Sequence, residues 1–329
     1  MTISNGKAPE IRLSLHDSIH MIHREDWMHV AGEASPYLGY DHLMALEDAQ
    51  KGAMDHRYVI YYCARNRPMG IAYFQVADLV DNGSAYRAGV ERLGKGIGAR
   101  IVKEMKVRCL VNGNVFHCGD HGSHFMHGVT DAQRFQAVES TLKHLDRGCY
   151  FTPVARVLIV KELWPQQYPS ATGLEDRGFS PLAMEANMVM DLDPDWKDLD
   201  SYQEALNAKA RTRLRSVLKR SGALAVRSLS AKEIRSLAPG IQALFDQVLE
   251  RSPFTFGRLN TAVYAPWKEA WGDRLVFLGY FLDERLVGFA TAFELGDTLD
   301  VQYVGLDQDL NQKHGLYQRM LVDLLGIGL

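Results

Sequence analysis

Residues 275–297 read LVFLGYFLDERLVGFATAFELGD, and residues 58–78 read YVIYYCARNRPMGIAYFQVAD. Each is a β-branched and aromatic run, a short polar turn and a second run that opens on a glycine, which is the pattern of an antiparallel hairpin. Gly288 stands 218 positions after Gly70 (288 − 70), and the same offset keeps the apolar positions of both hairpins in register. One architecture laid down twice in tandem accounts for this.

Working outward from the first hairpin, the chain predicts a strand at 11–22, a helix within 36–52 and a helix at 98–106. There follow a strand at 107–118, a helix at 131–145, an apolar strand at 154–163, a segment at 168–179 and a closing strand ANMVMDL at 186–192. The second copy predicts a helix at 201–220, a strand ALAVRSL and a helix whose start, Ser230-Ala-Lys-Glu233, has the form of a capping box. Its hairpin, a strand TLDVQYVGLD and a helix GLYQRMLVDLLG complete it. The acidic, proline-bearing run from Asp191 to Asp200 separates the copies. The expected domains are therefore 1–194 and 195–329. The second copy lacks counterparts of the first copy's last strands and helix, so it is expected to be incomplete at its C-terminus.

Composition narrows the function classes. The chain has 329 residues, 47% hydrophobic and 23% charged, as in an ordinary globular protein of two domains. A net charge of −3 supplies no field to recruit DNA or an anionic membrane. No signal peptide or uninterrupted apolar run of membrane-spanning length is seen, so a cytoplasmic protein without integral membrane association is expected. Four cysteines without paired metal spacing (Cys63, Cys109, Cys118, Cys149) are expected to be reduced thiols.

The order strand, helix, antiparallel hairpin, long strand, Gly-containing loop, helix, strand, helix, strand resembles the GNAT superfamily of N-acyltransferases. The stretches that carry the resemblance are LVFLGYFLDERLVGFATAFELGD, TLDVQYVGLD and GLEDRGFSPLAMEANMVMDL. Two such modules, the second opening on a basic helix, look like the Fem-type acyltransferases that modify peptidoglycan precursors. The resemblance implies an α/β (α+β) fold of two tandem modules, each a mixed, largely antiparallel split sheet flanked by helices. It also implies acyl transfer from a thioester or ester donor to an amine, with acyl-CoA as co-substrate and aminoacyl-tRNA open as the alternative donor. The acceptor would be a small amine, with a nucleotide-linked one open. A non-catalytic protein that keeps the fold to bind a metabolite or partner is the competing reading.

RLGKGIGARIVKEM (92–105) has the look of a phosphate loop, with Lys95 and Lys103 as charge partners. The polar run before it is a poor central strand, so in the first copy the loop that matters is expected at Gly119 to Thr130. In the second copy the family's Gln/Arg-x-x-Gly-x-Gly/Ala pattern is met only in part by Gln312-Lys313-His314-Gly315-Leu316-Tyr317, where tyrosine replaces a small residue. Val304 and Gly305 on the preceding strand would flank the donor's arm.

Other candidates follow from side-chain chemistry. FHCGDHGSHFMHG (116–128) gathers His117, Cys118, Asp120, His121, His124 and His127, but the spacing matches no metal motif and no metal is expected. His117, Asp120 and His121 would instead be placed to take a proton from an attacking amine. Glu294, Asp300, Gln302 and Tyr303 lie on the second copy's central strands, and Tyr317 could act as an acid. Alternation puts Asp300, Gln302 and Val304 on one face, and Val301 and Tyr303 on the other. Arg211, Arg213 and Arg215 on the basic run 207–220 could hold substrate phosphates, or form a solvated helix face.

Overall fold

The computed structural model describes residues 2–3, 11–81, 106–146, 155–183, 187–252 and 254–329. It divides into two compact units, one of residues 1–187 with 253–259 and one of 188–252 with 260–329.

In the first unit the strands are β1 (Thr2–Ile3), β2 (Ile11–His16), β3 (Asp55–Tyr62), β4 (Pro68–Asp81), β5 (Lys106–Asn112), β6 (Ser123–Phe125) and β7 (Val157–Val160). They run in the order β1-β2-β3-β4-β5-β7, with β6 also pairing β4. All pairs are antiparallel except β5 with β7, which is parallel from Cys109/Val157 to Asn112/Val160. Helices α1 (Arg24–Ala31) and α2 (Tyr40–Ala49) lie between β2 and β3, and α3 (Asp131–Asp146) and α4 (Tyr168–Glu175) follow β6 and β7.

Alternation along the long strands sends side chains to two different layers. Val59, Tyr61, Ala72, Phe74 and Val76 pack with Ala137, Val138, Leu142 and Leu145 of α3. Tyr58, Ile60, Ile71 and Tyr73 pack with Trp27 and Val30 of α1 and Leu43 of α2. Both faces are covered, so β3 is buried almost throughout. Two of the polar groups inside are paired: Trp27 Nε1 donates to Leu38 O at 2.7 Å, and Tyr61 OH lies 2.8 Å from Thr141 Oγ1.

The second unit repeats the plan. Its sheet has the order β12-β11-β10-β8, from β8 (Ala225–Ser228), β10 (Leu275–Leu282), β11 (Arg285–Leu295) and β12 (Thr298–Leu306), all antiparallel. This mirrors β5-β4-β3-β2. Helices α5 (Leu199–Ala205) and α6 (Ala208–Arg220) precede it. Between its first two strands lie α7 (Ala231–Leu249) and α8 (Tyr264–Trp271), and α9 (Gln308–His314) and α10 (Leu316–Gly328) follow β12. The capping box at Ser230 and Glu233 is formed. A further strand, β9 (Phe254–Phe256), lies between α7 and α8 in sequence yet belongs to the first unit, where it pairs with Leu79 to Asp81 of β4.

The two hairpins match down to their irregularities. Each carries a register shift beside its glycine: Tyr61 opposes Gly70 and Tyr62 opposes Pro68, while Tyr280 opposes Gly288 and Phe281 opposes Leu286. Both glycines make room for a neighbour. A Cβ on Gly70 would lie 2.3 Å from the Phe125 ring, and one on Gly288 would lie 2.5 Å from the Met320 methyl.

Several expectations are corrected. The strand expected to run through 107–118 stops at Asn112, because Gly113, at φ +133°, turns the chain out of the sheet. Residues 113–122 form an excursion, and β6 resumes the ladder on β4. Of the expected closing strand ANMVMDL, residues 187–192 form no strand with any described residue, and Met188 is 94% exposed. The expected helix at 201–220 is broken at Leu206 and Asn207, and the loop after β12 contains α9. RLGKGIGARIVKEM with Lys95 and Lys103, and Cys149, lie outside the described residues. Cys63, Cys109 and Cys118 are free thiols.

Gly70→Ala forces a methyl into an aromatic ring held on a strand, whereas the Met320 methyl facing Gly288 can turn away. In urea denaturation Gly70→Ala is expected to cost about 2 kcal/mol and Gly288→Ala less than half of that.

Candidate functional site

The only parallel pair among the described strands is β5 with β7, and the crevice at the carboxyl ends of such strands is where open α/β sheets bind ligands. Here both chains leave the sheet together, β5 after Asn112 and β7 after Val160. Asn112 sets the base of the opening: its Nδ2 donates to Tyr73 O at 3.1 Å and to Gly122 O at 2.8 Å, tying both ends of the excursion to β4.

Inside the excursion sit His117, Cys118, Asp120 and His121. The ring of His117 stacks on Tyr37 at 4.0 Å with an interplanar angle of 7°, and its Nε2 lies 2.9 Å from Nε2 of His42. Burial pushes His42 down to about 3, with the neighbouring His121 adding to the fall. It is therefore neutral, and one imidazole of the pair donates to the other. Lys161, the residue after β7, donates to His117 O at 2.6 Å and pairs with Glu162 at 2.5 Å. Glu162 holds a left-handed backbone, φ +50°, and accepts from Gly119 N.

His121 stands edge-on to Tyr37, with ring centroids 4.8 Å apart. Its Nε2 lies 2.6 Å from Cys118 O. A carbonyl only accepts, so Nε2 carries the proton and the neutral ring presents its lone pair at Nδ1. That atom is buried and has no hydrogen-bond partner among the described residues. Desolvation is the main cause lowering the pKa of His121, with Lys161 adding to it and the Cys118 carbonyl, Asp120 and Glu162 opposing.

Asp120 faces the other way. Its carboxylate accepts from Arg134 Nη1 at 2.8 Å and Gln167 Nε2 at 2.7 Å, and Arg134 also reaches Asp131 and Ser123. A buried ion pair of this kind fixes the excursion to the first turn of α3 and to the segment before α4. Asp120 is therefore held as an anchor, its carboxylate turned to Arg134 and Gln167. Among the described residues no group of three His, Cys, Asp or Glu side chains is arranged to hold a metal ion.

The second unit's candidates are spread along one strand. Gln302 Nε2 donates to Asp300 Oδ2 at 2.6 Å, so these two share a face as alternation implied. Beyond them β12 bulges: Ala292 opposes Val301 but Ala290 opposes Val304, which shifts the alternation by one residue. Buried Thr291 fills the irregularity, its Oγ1 donating to Tyr303 O at 2.8 Å and accepting from Tyr303 N at 3.1 Å. The Tyr303 ring packs edge-on against Phe245. Glu294 is exposed at the β11–β12 turn, whereas Tyr317 belongs to the first turn of α10, whose Leu316 lies beside Gly288 near the far end of β11. At about 3.3 Å per residue these ends are roughly 20 Å apart. Glu294 and Tyr317 are not brought together.

Val304 and Gly305 precede α9, on whose last turn stand Gln312, Lys313 and His314. Gly315 takes φ +65° as the hinge between α9 and α10, and the Tyr317 amide is capped by Asn311 Oδ1 at 3.0 Å. The guanidinium of Arg220 packs on Gly315 and donates to Gln318. Of the basic helix, Arg211 is engaged with the carbonyls of Gln203, Glu204 and Leu206 at 2.9–3.1 Å, ending α5, while Arg213 and Arg215 are exposed.

The sequence carried no local signal for Tyr37, His42, Lys161, Glu162 or Arg134 at the crevice. The His42–His117 contact spans 75 positions.

No family model matches this sequence, and no curated protein matches it. Among solved structures the chain is similar to FemX, at 11% identity over 94% of this chain and 85% of that one, with a TM-score of 0.45. It is also similar to a GCN5-related glucosamine N-acetyltransferase region in a fungal multi-domain GH3 beta-N-acetylglucosaminidase. There the identity is 12% over 99% of this chain and 35% of that one, with a TM-score of 0.39.

Burial also pushes His56 down to about 4. Both His42 and His56 have an ordinary value of 6.5 in the unfolded chain. Above that pH neither state is protonated and stability is flat; below it the unfolded chain takes up protons that the fold refuses. Stability is expected to fall as pH drops from 6.5 toward 4, by about 2 kcal/mol for each histidine at pH 5. Urea midpoints measured from pH 7.5 to 4.5 read this directly, and His42→Asn should make the slope shallower.

Proposed function

We propose that this chain is an N-acyltransferase of two GNAT-like modules, 1–194 and 195–329, acting in the cytoplasm on an amine acceptor. The observation that carries the reading is His121: a neutral imidazole, its tautomer fixed by the Cys118 carbonyl, with an unpartnered Nδ1 at the carboxyl ends of the parallel strands β5 and β7.

Acyl transfer to an amine needs a proton acceptor that is unprotonated near neutral pH. In this reading the acceptor nitrogen attacks the donor carbonyl carbon, its proton passes to His121 Nδ1, and the bond from carbonyl carbon to the leaving sulfur or oxygen breaks. The leaving thiolate or alkoxide then takes the proton from His121 Nδ1, which restores the neutral ring. Nδ1 is shielded from water, so productive binding includes an outward shift of the 113–122 excursion. Lys161 and the His42–His117 pair position the excursion and do not touch the reacting atoms. Acyl-CoA is the favoured donor and aminoacyl-tRNA the alternative, with Arg213 and Arg215 as exposed groups for donor or acceptor phosphates.

In the second unit the bulge at Gln302 and Tyr303 and the Gly315 hinge support a binding role for Val304, Gly305, Gln312, Lys313, His314 and Gly315, with Asp300 and Tyr317 as polar groups along the same strand and helix. Crowding at the hinge, by Tyr317 in sequence and Arg220 in space, favours a non-catalytic second module.

Thiol release from acetyl-CoA with a panel of primary amines tests the proposal, as does amide formation from alanyl-tRNA. His121→Gln is expected to lower kcat/KM at least 100-fold with unchanged thermal unfolding. The wild-type profile should rise through an apparent pKa below 6.5 and then level. Turnover that survives His121→Gln would reject His121 as the base, and absence of turnover with both donors would leave the binding-protein reading in its place.

A further inference from the structure

A second polar site lies in the first unit, on the face of β2 that looks toward α1. Alternation places Arg12, Ser14 and His16 together on that face, with Leu13 and Leu15 turned to the α3 side. Their ladder partners on β3 are Tyr62, Ile60 and Tyr58, and the last two belong to the aromatic core under α1 and α2. Packing alone calls for apolar residues there. The strand instead supplies a guanidinium, a hydroxyl and an imidazole.

These side chains open a cavity of about 390 Å³, lined by Arg12, Leu13, Ser14, Asp26, Tyr62 and Asn66. The volume falls in the range of small-molecule sites. Its polar groups are already oriented. Arg12 Nη1 donates to Asn66 Oδ1 at 3.1 Å; Asn66 is in the left-handed conformation, φ +57°, which asparagine tolerates. Among the described residues this leaves the remaining guanidinium donors and the Asn66 amide nitrogen for an anion. Ser14 Oγ donates to Tyr62 OH at 3.4 Å and lies 3.1 Å from His16 Nε2. Burial lowers the pKa of His16, against Asp17, so at neutral pH the ring adds no cationic charge.

Asp26, in the first turn of α1, contributes a carboxylate to the same cavity. Neither a hydrogen bond nor an ion pair engages that carboxylate among the described residues. The lining thus offers a cationic donor fork, an anionic acceptor and two hydroxyls. Opposite charges held in one cavity without neutralising each other are complementary to a ligand that carries both.

We infer that this cavity binds a free α-amino acid as its zwitterion, with the carboxylate on Arg12 and Asn66, the ammonium on Asp26, and a side chain against Ser14 and Tyr62. The site is separate from the crevice at His121 and does not depend on the acyl-transfer reading.

Isothermal titration of the full chain with L-glutamine, L-serine and L-leucine tests it. At least one is expected to bind, with N-acetyl and carboxamide derivatives of that amino acid at least tenfold weaker because each removes one charge. Arg12→Gln and Asp26→Asn should each weaken binding about tenfold or more while thermal unfolding stays within a degree or two, and His121→Gln should leave it unchanged. Absence of heat with all three amino acids overturns the inference, and so does affinity that is indifferent to both Arg12→Gln and Asp26→Asn.

Discussion

The Asn112 amide nitrogen donates to two carbonyl oxygens, Tyr73 on β4 and Gly122 at the far end of the excursion. Residues 113–122 leave the sheet between these points and rejoin it, and one side chain bridges the two ends beside the backbone bonds that Gly113 and Gly122 make to Tyr73. The approach is tight: a Cβ on Gly122 would lie 2.7 Å from Asn112 Oδ1. Both carbonyls also accept backbone N–H bonds, Gly122 O from Tyr73 at 2.8 Å and Tyr73 O from Gly113 at 3.1 Å, so Asn112 adds a side-chain clamp to a departure point the backbone already pairs. The imidazoles, Lys161 and the Asp120–Arg134 pair are all arranged around that departure.

Charge is handled differently inside and outside this region. His42 is kept neutral by burial, whereas Asp120 and Arg134 are buried as ions that satisfy each other at 2.8 Å. Neutral imidazoles need only one donor and one acceptor each, and the tautomer follows from whichever partner can only accept. A buried carboxylate needs a cation and further donors, which Arg134 and Gln167 supply. Rigid ionic anchoring at Asp120 thus lies one residue from an imidazole whose second nitrogen is unengaged.

The repeated hairpin shows how much architecture a short pattern can carry. Tyrosine, bulge and glycine recur at the same place in both units, and each glycine accepts a side chain from the element that covers it, Phe125 in one and Met320 in the other. The units diverge beyond their fourth strand. The first places β7 parallel to β5, while β12 in the second pairs only with β11 among the described strands and leads into α9.

Runs of β-branched and aromatic residues with a glycine after a polar turn determined both hairpins from the sequence alone, and the Ser230 capping box marked a helix start, because strand propensity, turn chemistry and helix capping are local rules. The histidines at 117 and 121 were visible as chemistry, but not their arrangement. Tyr37 and His42 reach them only because α2 packs over the same sheet, and Lys161 only because β7 lies parallel to β5; such contacts are fixed by packing and leave no local pattern. The same limit explains residues 187–192 of ANMVMDL, which pair with no described strand, and Arg12, an exposed cation whose place beside Asp26 and Tyr62 in one cavity only the fold shows.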